Sequence, residues 1–86
     1  MKTRGIKLSH VPHELAEEFP SKVDRLHELK MSNAHFAKLF DEYHVVNREI
    51  HRIETEVEPA SDERSIDLRK QRMVLKDEIA GMLAQE

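Results

Sequence analysis

Six histidines, His10, His13, His27, His35, His44 and His51, stand in a chain of 86 residues that has no cysteine. Imidazoles on one helix share a metal ion when they lie three or four residues apart. His10 and His13 have that spacing, but Pro12 interrupts the segment between them, and His44 and His51 are two turns apart. There is no His-Glu-x-x-His. The expected state is histidines on helix surfaces and no metal. Adjacent carboxylates occur at Glu17-Glu18, Asp41-Glu42, Asp62-Glu63 and Asp77-Glu78. Splitting the pKa values of such a pair for acid–base work needs a concave, partly dry pocket, which a narrow helical bundle does not offer. No enzyme activity and no cofactor are expected. Arg69, Arg72 and Lys76, with Lys70 beside them, form a basic side at helical spacing. The alternative function they suggest is that of a nucleic-acid-associated accessory protein. Interleaved aromatics are missing, however, and the chain carries a net charge of −3. A structural use fits better: Arg72 lies between Leu68, Leu75 and Ile79, so its stem packs while its head reaches Glu42, Glu49 or a partner chain.

The elements that must position these groups follow from composition. Hydrophobic residues make up 38% and charged residues 36%, with three Phe and one Tyr as the only aromatics. That balance gives a thin apolar stripe. Two Gly and three Pro leave too few turns for a strand-rich sandwich or barrel, so long helices are expected in a single domain. Charges of both signs are interspersed, which gives no electrostatic reason for nucleic acid or an anionic membrane as the main ligand. Charges also interrupt every window of the roughly 20 residues a membrane span needs. No apolar run of a signal peptide follows the basic start. With no cysteine to oxidise, the expected location is the cytoplasm.

Pro12, Pro20 and Pro59 divide the chain into a lead over 1–11, a short helix over 12–19, a long helix over 21–57 and a second long helix over 62–84. Pro12 suits a first helical turn, and Leu15 and Phe19 then share one face. From Ser21 to Val57 there is no Pro and no Gly. Leu29, Phe36, Tyr43, Ile50 and Val57 form a row at spacing seven, the mark of a coiled-coil-like seam, joined by Leu26 and Phe40 early and by Leu39, Val46 and Ile53 later. Asn33 interrupts this stripe either as a polar residue that fixes register or as one turned to water; Asn47 is expected to face water. Ser61 caps the second helix, with Asp62 and Glu63 in its first turn. Its apolar face is read as Ile66, Leu68, Met73, Leu75, Ile79, Met82 and Leu83.

A connection of four residues, Glu58-Pro59-Ala60-Ser61, makes the two long helices antiparallel neighbours. Symmetry about Pro59–Ala60 sets Ile53 near Ile66, Val46 near Met73, Leu39 near Ala80 and Phe36 near Leu83. The first helix then overhangs the second, leaving Val23, Leu26 and Leu29 to be covered by the short helix or by another subunit. A hairpin also leaves one side of each stripe wet, so a homodimer with a four-helix bundle is expected. The expected function is that of a self-associating protein–protein interaction module, an adaptor or regulator, whose uncovered stripe binds a further, unidentified protein; the residues expected to carry the association are Leu15, Phe19, Leu26, Leu29, Phe36, Phe40, Tyr43 and Arg72.

The run His13-Glu14-Leu15, Glu18-Phe19-Pro20, Leu29-Lys30, Phe36, Tyr43, Ile50, Glu54, Ser61-Asp62, Leu68, Lys70, Arg72 and Leu75-Lys76-Asp77-Glu78-Ile79 resembles the small bacterial YdcH-like proteins of unknown function. The resemblance spans residues 10–83. It implies a helical hairpin of the bacterial cytoplasm that self-associates, and brings no activity, cofactor or catalytic residue with it. Met73 stands where that pattern often has Leu, and Gly81 where it often has an aromatic residue.

Overall fold

The computed structural model describes residues 11–55 and 58–85. All but Val11 of the expected lead lies outside the described residues, as does Val57 of the seven-spaced row. Among the described residues four α-helices follow in order: α1 (Leu15–Glu18), then a 3-10 turn (Pro20–Lys22), α2 (Val23–Ser32), α3 (Ala34–Glu54) and α4 (Asp62–Ala84). There is no strand among the described residues. Helices α3 and α4 pack as the expected hairpin, and α4 occupies the expected span. Ser61 opens α4 by accepting from the Arg64 amide at 3.1 Å, with Asp62 and Glu63 set against the dipole.

The expected single helix over 21–57 is two helices. Asn33 takes an extended conformation (φ −133°, ψ 110°), and its Oδ1 accepts from the Phe36 amide at 3.0 Å, making it the N-cap of α3. An Asn side chain competes well for orphan amides at a helix start, so one residue breaks the helix without Pro or Gly. Asn33 is therefore neither a register-fixing core residue nor simply turned to water.

The break lets α2 fold back, and residues 11–32 form an arm along one flank of the hairpin. Leu15, Leu26 and Leu29 of the arm join Phe36, Leu39 and Tyr43 of α3 and Ile79 and Leu83 of α4 in one buried cluster. Phe19, Phe40, Leu75 and Met82 pack against it. Burying each such side chain stabilises by about 1.5–3 kcal/mol, which offsets the cost of ordering a short helix. The expected overhang therefore does not exist: α2 itself folds back and buries Leu26 and Leu29 with Leu15, while Val23, also expected to need cover, stays 42% exposed.

Helix α4 buries Leu68, Ile79 and Leu83, with Arg72 and Leu75 half-buried on the same stripe. These positions follow the 3.6-residue period. Ile66 and Met73, seven apart, fall on the other side and are 51% and 58% exposed. They do not belong to the buried face expected for them. Ile53 instead faces Ser65, Leu68 and Arg69, and Val46 lies with Gln71 and Leu75 rather than with Met73, while Phe36 shares the core with Leu83 as expected.

Candidate interaction surface

The two flanks of the hairpin differ because adjacent residues on a helix point about 100° apart. His44 and Asn47 on α3, with Arg72 and Lys76 on α4, face the arm. Asn47 is fully buried (1% exposed), contrary to the expectation that it faces water. Its Nδ2 donates to the Pro12 carbonyl at 2.9 Å and to Glu14 Oε2 at 3.3 Å, and its Oδ1 accepts from Arg72 Nη1 at 2.9 Å. Both of its N–H donors and its oxygen thereby have partners inside the chain, as a buried amide requires. Arg72 therefore spends its charge on Asn47 rather than on Glu42 or Glu49, and Glu49 pairs with Arg64.

Around this centre the arm is tied by further polar contacts. Tyr43 Oη donates to the His13 carbonyl at 2.7 Å. Burial, with Glu18 and Glu14 adding and Arg72 opposing, pushes the phenol up to about 12. His44 Nε2 lies 3.0 Å from Glu14 Oε1, and its ring stacks on Phe40 with centroids 5.2 Å apart. Lys76 hydrogen-bonds Glu18. That bond holds the Glu18 carboxyl below its usual range, against the upward push of burial and with further help from His13. His13 itself sits at φ 65°, a left-handed conformation that costs a non-glycine residue about 1–2 kcal/mol. The turn there is fixed by the His13 amide donating to Glu17 Oε1 at 3.1 Å.

Among the described residues no arm lies on the opposite flank. There Asp41, Glu42, Val45 and Val46 of α3 and Gln71 and Leu75 of α4 line an open groove. Val45 is 65% and Val74 55% exposed. Adjacent apolar pairs, Val45-Val46 and Val74-Leu75, were the sequence signal for it: two neighbours on a helix cannot both enter one narrow seam, so the stripe is wider than the core that receives it.

The residues expected to carry association are brought together, but into the chain's own core. Leu15, Leu26, Leu29, Phe36 and Tyr43 are buried, and Phe19 and Phe40 pack against that cluster. Sequence reading missed Asn47, whose partners lie about 35 residues away in the arm. The basic residues are likewise engaged internally: Arg69 pairs with Glu54 at 3.1 Å, Arg72 with Asn47 and Lys76 with Glu18. Among the described residues no three His, Cys, Asp or Glu converge as a metal site. None of the described helices is long and apolar enough to cross a membrane.

An all-α hairpin with a folded-back arm, an internal polar centre and one bare flank defines the class. The chain belongs to a family described as a protein of unknown function, DUF465, whose profile matches residues 36–83, more than half its length. This accords with the resemblance to YdcH-like proteins. The match begins in α3 and ends in α4, so the arm lies outside it. No curated protein and no solved structure matches the chain.

Proposed function

We propose that this protein works by association, as a self-associating interaction module with an adaptor or regulatory role, and that the bare flank of the hairpin is the surface it uses. One observation carries the reading: the arm covers one flank with Leu15, Leu26 and Leu29, while the other leaves Val45 and Val74 more than half exposed beside the groove of Val46 and Leu75. The occupant is a second copy. Two hairpins laid flank to flank complete a four-helix bundle, each supplying the apolar layer the other lacks. The face also carries both signs, Asp41 and Glu42 with Lys38 and Arg48 within one turn of Val45 or Glu42. Mixed charge suits pairing with a like surface better than with a strongly basic or acidic ligand. Size-exclusion chromatography with light scattering on Val45→Asp and Val74→Asp tests this. The variants are expected to weaken the dimer by at least about tenfold, because each places a charge in a desolvated contact. Dimers unaffected by both substitutions would remove the flank from the account.

A further inference from the structure

Residues 23–54 are one helix interrupted at a single position. No Pro or Gly lies between Ser21 and Val57, and the row Leu29, Phe36, Tyr43, Ile50 runs at spacing seven straight through the interruption. Helix hydrogen bonding is intact on both sides, with the Asn33 amide donating to Leu29 O and the Ala37 amide to Asn33 O, each at 2.9 Å. What the break forgoes is the bonding of the amides of residues 34, 35 and 36 to carbonyls one turn back. In return there is the single bond from Phe36 N to Asn33 Oδ1. Locally the straight form has two more hydrogen bonds than the bent one, three forgone against one gained, and the contacts of the folded-back arm offset that difference.

We propose that Asn33 is a hinge and that two copies of this chain associate by straightening there, each laying residues 11–32 on the hairpin of the other. Straightening puts the arm beyond reach of its own Tyr43 and Asn47, which lie 10 and 14 residues up α3, about 15 and 21 Å from the hinge. Each hairpin is then left with a vacant seat that fits one occupant, the arm of a second copy. Every contact of that seat is already visible within one chain: Leu15 in the core, Asn47 to Pro12, Tyr43 to His13, His44 to Glu14 and Lys76 to Glu18. The exchanged dimer keeps all of them and adds the missing turn of helix, which is why exchange of an identical element is a low-cost route to association. This association goes beyond the bare-flank reading and uses the other side of the hairpin.

The test uses Asn33→Ala, which removes the cap and favours the straight form, and Asn33→Asp, which retains a cap. Asn33→Ala is expected to tighten the dimer by at least about tenfold, and Asn33→Asp to behave as the wild type. The partner is identified by mixing 14N- and 15N-labelled chains after denaturation, refolding them together at high concentration, and joining touching amines and carboxylates with a zero-length carbodiimide. The expected product is a Glu18–Lys76 peptide of mixed isotope, in the wild type at high concentration and more abundantly in Asn33→Ala. Only same-isotope Glu18–Lys76 peptides, in either protein, would overturn the proposal. The wild-type arm keeps the test decisive should Asn33→Ala not fold. Val74→Asp, which breaks the bare-flank association, is expected to leave the mixed-isotope peptide unchanged, so the two readings fail separately.

Discussion

The two halves of the hairpin are built differently. At the end away from the connection, α3 and α4 have the arm as a third layer, and eight apolar or aromatic side chains close into one cluster around Phe36 and Ile79, both at 0% exposure. Near the connection, among the described residues, only Ile50 and Leu68 are buried, with Ile53 partly open beside them. Ion pairs flank that thinner half, Arg64 with Glu49, Arg69 with Glu54 and Arg52 with Glu58. Two helices alone bury a narrow seam; a third element makes a core. The arm is therefore a structural part of the half it touches, and the half without it relies on exposed charge pairs that contribute little.

The largest expected effect tests this contrast. Phe36→Ala should cost about 3–5 kcal/mol, whereas Leu68→Ala, next to solvent and free to collapse, should fall near the lower end of its range, about 2 kcal/mol. Urea denaturation followed by helical circular dichroism measures both, and equal losses would break the comparison. Next comes Asn47→Ala, which deprives Pro12 and Arg72 of their partner and leaves a half-buried cation without an acceptor, at about 1–3 kcal/mol. The single tyrosine reports on it. A phenol raised in the folded state stabilises fully below its ordinary value near 10 and loses that contribution as pH rises through about 12. Absorbance titration of wild-type Tyr43 should give a midpoint near 12; in Asn47→Ala, with the arm loosened, it should move toward 10. A midpoint unmoved by the substitution would show that the polar centre does not hold the arm.

The smallest effect concerns Glu18. Its folded pKa is lowered, first by Lys76, so its contribution is complete above the unfolded value of 4.5 and is lost as pH falls through the folded value. With the two side chains 20% and 40% exposed, the pair is worth at most about 1 kcal/mol. Stability curves of wild type and Lys76→Met should differ by that amount above pH 5 and converge as pH falls below 4.5; curves that coincide throughout would assign the pair no role.

Much of this architecture is legible in the residues. The seven-spaced row, the absence of Pro and Gly, and the Ser61 cap with its acids are local signals, and they place α4 and the antiparallel hairpin. Leu15 and Phe19, four apart, marked a short helix that needed a surface. Asn33 was not legible as a break, because both sides of it have the same propensity and the deciding term is one cap bond. Asn47 was read as wet because its neighbours on α3 do not explain its burial; the arm does, by a contact about 35 residues away. Ile66 and Met73 were assigned to the core on hydrophobicity alone, although they lie off the stripe of Leu68, Leu75, Ile79 and Leu83. The bare flank was legible in part, because a two-helix hairpin leaves one side of each stripe wet, but which side the arm would cover was set by tertiary packing.

Whether the chain associates with itself is decided by sedimentation equilibrium of the wild-type protein. A reversible dimer of twice the 10.1 kDa chain mass is expected over a micromolar to millimolar concentration series. A single species of 10.1 kDa throughout that range would contradict it.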